Sequence, residues 1–315
     1  MAPYRVLVTC PPMLGMLDTF SAPARELGLE LLPAVVTQTL REAELIQLLP
    51  NYDGWIIGDD PATQNVFEAG HRGLLKAAVK WGIGVDNVDF KACEAFGIAI
   101  TNTPGMFGGE VADLAVGYLI ALARHTVEID RGVREGKWPK PRGVSLAGRT
   151  VALVGYGDIG RNTARRLLAA DMAVIAYDPF VQPSSLEDDV TLAPWPERLE
   201  EADFVVVNCA LTPSSHHLLN SDAFAAMKPG VRVVNVGRGP VIDEQALISA
   251  LASGHVHSAA LDVFEHEPLP LASPLRSHSA CIFGSHNASN TVDGVERTSH
   301  RAIQLIAGFL QEANS

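Results

Sequence analysis

Between Val151 and Arg161 the chain reads VALVGYGDIGR, with Gly155, Gly157 and Gly160 in the spacing G-x-G-x-x-G. The apolar run TVALV leads into the glycines and the helix-patterned run RNTARRLLAA leads out. A strand that breaks on glycines and continues as a helix makes a phosphate cradle. The glycines let the backbone turn tightly and approach a pyrophosphate, and the new helix points free N–H groups at its charge. A glycine-rich turn alone is weak evidence, but its surroundings here strengthen it. A second apolar run, MAVIAYD, ends on Asp178, about 20 residues downstream, where a ribose-binding acid belongs.

A carboxylate at Asp178 can accept hydrogen bonds from both ribose hydroxyls of NAD and repels the extra phosphate of NADP. The following residues, PFVQPSSLEDD, contain no Arg or Lys to hold that phosphate, so the expected cofactor is NAD. The competing reading is that Asp178 only opens an Asp-Pro turn.

The 315 residues are enough for two domains, and 47% hydrophobic against 19% charged residues favours a large core over disorder. A formal net charge of −12 argues against a nucleic-acid partner, which needs a basic stripe. It leaves room for an anionic substrate held by a few local cations. Cys10, Cys93, Cys209 and Cys281 are far apart and form no C-x-x-C pair, so they read as reduced, mostly buried thiols, and no metal site is expected. The N-terminal MAPYRVLVTC enters a strand at once, without the pattern of a signal peptide. The apolar segment VADLAVGYLIALA is too short to span a bilayer and carries Asp113. A cytoplasmic protein with no membrane partner is expected.

The candidate strands of the first third are YRVLVT, LELLPAVV, GWIIGD, AAVKWGIG and IAITN, separated by helical candidates such as REAELIQLL, TQNVFEAGHRG and DFKACEAFG. Such alternation implies βαβ units and a parallel sheet. A long helical segment, GEVADLAVGYLIALARH, and a Trp-, Pro- and Gly-rich connection, GKWPKPRGVSLAGR, follow. A second alternating series begins at Thr150, with strands TVALVG, MAVIAYD, DFVVVNC, RVVNVG, SAALDV and ACIFGS. The final segment from Val292 fits one amphipathic helix. The glycine fingerprint therefore opens the second α/β half, and about 150 residues before it must form another domain.

Three further positions follow apolar strands, where open parallel sheets bind their ligands. Arg238, between glycines in VVNVGRGPVIDEQAL, can hold a carboxylate with two parallel hydrogen bonds. SAALDVFEHEPLP brings Asp262, Glu265, His266 and Glu267, and FGSHNASNT brings His286. A Glu touching a His favours the imidazolium and makes a general acid. Taken singly, a turn Arg or a lone His is more often structural.

Together these segments resemble the D-isomer-specific 2-hydroxyacid dehydrogenases, in particular the short relatives of D-3-phosphoglycerate dehydrogenase. The resemblance runs from KWGIGVDNVD through GIAITNTPG, EVADLAVGYLIALAR, GYGDIGR, VNVGRGPVIDEQAL and LDVFEHEP to SHNASNT, in the family's order. It implies two Rossmann-like domains: a discontinuous flavodoxin-like catalytic domain, residues 1–102 plus 287–315, and an inserted NAD-binding domain, residues 103–286, with the substrate in the cleft. It implies Arg238, Glu267 and His286 as catalytic residues. Gly155, Gly157, Asp158, Ile159, Gly160, Asp178, Thr212, Val236, Gly237 and Asp262 would contact NAD. Lys80, Ile83, Gly84 and Arg238 would contact the substrate, a small 2-keto or (R)-2-hydroxy acid of the phosphoglycerate, glycerate/hydroxypyruvate or glyoxylate type. The helix near Glu110–Arg124 implies a homodimer. Departures concern the substrate: Asp59-Asp60-Pro61 follows the strand GWIIG with no Arg nearby, leaving Lys80 as the evident cation for a phosphate. The alternatives are an NAD(H)-sensing, corepressor-like binding protein and a dehydrogenase of an unusual substrate such as a phosphonate.

Overall fold

A computed structural model describes residues 2–187 and 189–313. The chain forms two compact units: residues up to Phe107 together with those from Asn290 onward, and Gly108–Ser289.

The first unit is built on five strands: β1 (Tyr4–Val8), β2 (Leu29–Pro33), β3 (Gly54–Ile57), β4 (Ala77–Lys80) and β5 (Ala99–Asn102). All pairs are parallel, in the order β2-β1-β3-β4-β5, the flavodoxin-like winding. The central strands β3 and β4 are buried along their whole length, which is why they read as unbroken apolar runs rather than alternating ones. Between the strands lie α1 (Pro11–Leu14), α2 (Leu17–Glu26), α3 (Glu42–Leu48), α4 (Gln64–His71) and α5 (Phe90–Phe96). Asp89 caps α5 by accepting the Ala92 N–H, and Gly97 ends it in the left-handed conformation. The chain returns to this unit in the helix Val292–Glu312, whose buried residues Val295, Ala302, Ile303, Ile306 and Leu310 lie on one face.

Two features of this unit were not evident from the sequence. Pro23 lies inside α2, and a proline in a helical pattern reads as a breaker. Lys80 is 3% exposed and donates to Asp59 Oδ1 at 3.0 Å and to the Trp81 carbonyl at 3.2 Å. The ammonium expected to face a substrate is thus neutralised within the fold.

The second unit opens with α6 (Gly108–Arg124) and α7 (Thr126–Arg134), followed by a stretch without helix or strand up to Arg149. Its strands are β6 (Thr150–Val154), β7 (Ala173–Tyr177), β8 (Val190–Leu192), β9 (Phe204–Val207), β10 (Val231–Asn235), β11 (Val256–Leu261) and β12 (Cys281–Phe283). Its helices are α8 (Asp158–Leu168), α9 (Ser221–Ala226) and α10 (Glu244–Ala252). The strand order is β12-β11-β10-β9-β6-β7-β8, and every pair is parallel. The winding runs outward from β6 to β8, then restarts at β9 on the other side of β6. That reversal is the topological switch point at which doubly wound sheets bind nucleotides. Val154, Val205, Val207, Val233, Leu247 and Leu261 belong to one buried cluster in this unit; each such side chain contributes about 1.5–3 kcal/mol of burial energy. Both expected Rossmann-like sheets are present.

Candidate active site

The glycine fingerprint occupies the switch point, and its glycines divide the work. Gly155 follows β6 with φ +94°, and a Cβ there would lie 2.7 Å from the backbone N and Cα of Cys209, just beyond β9. A Cβ on Gly160 would lie 2.2 Å from the Gly155 carbonyl oxygen, so α8 packs directly onto the turn. These two glycines build the crossing. Gly157 caps α8, and a Cβ there would meet nothing within 4 Å. Helix α8 starts at Asp158, three residues before the run RNTARRLLAA, so Asp158, Ile159 and Gly160 form its first turn. The N–H groups of that first turn have no partner within the helix, which suits them to an anion beside Gly157.

Asp178, one residue past β7, accepts the Tyr156 N–H on Oδ2 and the Phe180 N–H on Oδ1, both at 2.9 Å. It therefore both shapes the turn after β7 and ties that turn to the fingerprint. Each oxygen keeps a lone pair for a further donor. Next to β9, both carboxamide atoms of Asn208 are buried and lack a hydrogen-bond partner. Unsatisfied buried amides are rare and call for a ligand or water. Thr212 is held in its loop by Ser215, whose hydroxyl accepts the Thr212 N–H at 2.8 Å. Past β10, Val236 is buried, and the Gly237 N–H is taken by Asn235 Oδ1 at 3.0 Å. An open glycine at a helix start, an acid with spare acceptors and an orphaned amide on one sheet edge fit a dinucleotide.

Three adjacent strands carry the remaining candidates at their carboxyl ends. Arg238 follows β10; its Nη1 donates to the Gly237 carbonyl at 3.1 Å and its own carbonyl accepts from Asn235 Nδ2 at 3.0 Å. Glu267 follows β11, and His286 follows β12 with φ +56°. His286 Nδ1 and Glu267 Oε2 are 2.7 Å apart, and Glu267 Oε1 accepts the Phe264 N–H at 3.0 Å. Both carboxylate oxygens of Glu267 are thereby fixed, one on the backbone and one on the ring. Asp262, buried, holds the turn around His286 from two sides. Its carbonyl accepts the His286 N–H at 2.7 Å and its Oδ2 the Ala288 N–H at 2.9 Å. These bonds keep a non-glycine residue in the left-handed region, a cost that concentrates at functional sites. Gly239 closes the arrangement: a Cβ there would lie 1.9 Å from the Phe264 backbone, so only glycine lets the Arg238 turn abut the segment leading to Glu267.

The acidic segment after β11 separates into distinct tasks. Asp262 is buried, Glu267 meets His286, Glu265 meets His217 and His266 is exposed. Lys80, Ile83 and Gly84 belong to the first unit; Lys80 is committed to Asp59, and Ile83 is exposed. Sequence reasoning missed Tyr118, Asn208 and His217. Tyr118, on α6, donates to Asp262 Oδ1 at 3.4 Å; burial first, then the Asp262 charge, push its hydroxyl up, so it stays a protonated donor. Asn208 could have been found as the polar residue ending the run DFVVVN, whereas Tyr118 and His217 carry no local signal.

The glycine roles are separable by mutation. Gly155→Ala is expected to destabilise the fold by about 2 kcal/mol or more, seen as a lower denaturation midpoint. Gly157→Ala is expected to keep the wild-type midpoint and weaken NADH binding at least ~10-fold, because its methyl group occupies the open space. Wild-type NADH affinity in Gly157→Ala would contradict this division.

Comparison with known proteins places these features in a wider set. The model described as "D-isomer specific 2-hydroxyacid dehydrogenase, NAD binding domain" matches residues 116–288. Hydroxypyruvate reductase of Thermotoga maritima is 39% identical over 283 residues, covering 88% of this chain and 90% of that protein. D-3-phosphoglycerate dehydrogenase of Synechocystis sp. is 34% identical over 84% of this chain, which spans only 49% of that longer protein. A solved structure from Thermus thermophilus superposes with a TM-score of 0.86 at 34% identity, covering 98% of this chain and 97% of that one.

Proposed function

This chain belongs to the D-isomer-specific 2-hydroxyacid dehydrogenases, and we propose that His286, Glu267 and Arg238 carry its chemistry on a small, unphosphorylated 2-keto acid. It is an NAD-dependent oxidoreductase interconverting a 2-keto acid and its 2-hydroxy acid. The observation that carries the residue assignment is the 2.7 Å contact between His286 Nδ1 and Glu267 Oε2. With Nδ1 directed at a carboxylate, the tautomer is set and Nε2 is the nitrogen that exchanges a proton with substrate.

Bound NADH supplies the hydride for the substrate's carbonyl carbon. The Arg238 guanidinium pairs with the substrate carboxylate and polarises the carbonyl, stabilising negative charge as it develops on that oxygen. His286 Nε2 delivers the proton to the same oxygen, and Glu267 holds the resulting ring in place. In oxidation His286 takes the proton from the hydroxyl. The turn built by Gly155 and Gly160 and open at Gly157, with Asp158 and Ile159, would hold the pyrophosphate, Asp178 the adenosine ribose, and Thr212, Val236, Gly237 and Asp262 the remainder of the cofactor.

Hydroxypyruvate, glyoxylate and pyruvate suit this reading better than a phosphorylated acid. From Trp81 to Asp89 the loop WGIGVDNVD contains no Lys or Arg, and Lys80 before it is neutralised by Asp59. A dianionic phosphate held by that loop would meet the Asp86 and Asp89 carboxylates and no cation of the loop itself.

His286→Ala is expected to lower kcat for reduction by ~10²–10⁴-fold, the usual contribution of a positioned acid, while NADH titration followed by fluorescence stays within about twofold of wild type. Unchanged turnover would remove His286 from the reaction. A screen of 2-keto acids by NADH absorbance is expected to rank hydroxypyruvate, glyoxylate or pyruvate above 3-phosphohydroxypyruvate.

The same reading includes a cytoplasmic homodimer. All four cysteines are free, as a reducing compartment keeps them, and no described helix is long and apolar enough to cross a membrane. Ile120 on α6, Val133 on α7 and Trp138 beyond it, the last 77% exposed, offer apolar surface for self-association. Sedimentation is expected to give twice the chain mass of 33.6 kDa; a monomer at micromolar concentration would contradict the dimer.

A further inference from the structure

Beside the His286–Glu267 pair lies a second His–Glu pair. His217 Nε2 and Glu265 Oε1 are 2.8 Å apart, two residues along the chain from Glu267. Glu265 is itself locked to the start of α10: its Oε1 accepts the Glu244 N–H at 3.2 Å, and its own N–H donates to Glu244 Oε1 at 2.7 Å. Burial, and then the neighbouring Glu265 and Glu267 carboxylates, push the Glu244 carboxyl up, so three carboxyl groups crowd this corner. The imidazole of His217 meets this group at Glu265, as the His286 ring meets it at Glu267.

The backbone of His217 reaches the other side of the site. Its N–H donates to the Pro240 carbonyl at 2.8 Å, two residues from Arg238, and the adjoining Leu219 pairs with Ile242. His217 also closes the loop that begins at Thr212, and its φ is +50°. Three segments therefore meet at one residue: the Thr212 loop, the turn carrying Arg238 and the segment carrying Glu267. His217 and Glu265 side chains are 38% and 25% exposed, and a hydrogen-bonded pair so placed contributes little to global stability. A strained backbone held by two long-range bonds at such a junction makes sense as geometry rather than as stabilisation.

We propose that His217 is a positioning residue for the dehydrogenase reaction, its ring on Glu265 and its N–H on Pro240 holding the segments of Glu267 and Arg238 in register. The proposal rests on the assignment of Glu267, Arg238 and His286 above. His217 touches neither substrate nor cofactor; it acts by fixing where the Glu267 carboxylate, and through it the His286 ring, sits.

Two substitutions separate this role from a structural one. Asn tolerates the left-handed conformation but is too short to reach Glu265, whereas Gln places an amide N–H near the position of Nε2. His217→Asn is expected to lower kcat/KM for the 2-keto acid at least ~10-fold, as loss of an outer supporting partner does. Its denaturation midpoint and its NADH dissociation constant, measured by fluorescence titration, are expected to stay near wild type. His217→Gln is expected to recover most of that loss. Full activity in His217→Asn, equal damage in both variants, or NADH binding lost in step with turnover would each overturn the positioning role. The wild-type protein, assayed in parallel, separates the two levels. If it turned over no 2-keto acid, the reaction assignment would fall and His217 with it; if it turned over normally, any failure belongs to His217 alone.

Discussion

Every strand of the seven-stranded sheet runs in the same direction, so every strand delivers its outgoing chain to one edge. The rest of the site depends on this. Residues from Gly155 to His286 are spread over more than a hundred positions, yet each lies just beyond a strand. Parallel strands need crossovers, usually helices, and those helices bury the sheet's faces. The carboxyl edge is where backbone turns, free N–H groups and polar side chains can face a ligand. The reversal between β6 and β9 adds a crevice at the centre of that edge, and the glycine fingerprint occupies it.

Within the edge, carboxylates position other groups. Asp178 ties the β7 turn to the fingerprint, Asp262 holds both sides of His286, Glu267 joins its own segment to the His286 ring, and Glu265 joins α10 to His217. Each spends lone pairs on backbone N–H groups, giving a geometry more rigid than a side-chain pair in solvent. A chain of net charge −12 can thus still present a site for an anionic acid, because these acids are directed at N–H groups and imidazoles. The cation assigned to the substrate is Arg238, whose planar guanidinium matches a carboxylate, whereas Lys80 is buried against Asp59.

The strands were legible because buried parallel strands are short apolar runs bounded by turns, as TVALV, DFVVVNC and RVVNVG are. Arg238, Glu267 and His286 were legible as candidates because each follows such a run, and the order of motifs tied them to one family. Long-range partners were not legible. Nothing near Lys80 in sequence marks Asp59 as its counter-ion, and nothing in LTPSSHHLLN points from His217 to a glutamate 48 residues later. Helix α2 was hidden by Pro23, and β8, three residues long, is too short to show a period. Helix α8 begins earlier than its apolar pattern because its first turn is set by the glycine backbone, not by side-chain burial.

The central claim is that Arg238 and the His286–Glu267 pair converge on one substrate oxygen. A crystal structure of the protein with NADH and oxamate, an unreactive mimic of a 2-keto acid, tests it most directly. The account predicts His286 Nε2 and an Arg238 guanidinium nitrogen both within ~3.2 Å of the oxamate carbonyl oxygen that stands for the keto oxygen, with Glu267 still on His286 Nδ1. Oxamate bound with either side chain turned away from that oxygen would contradict it.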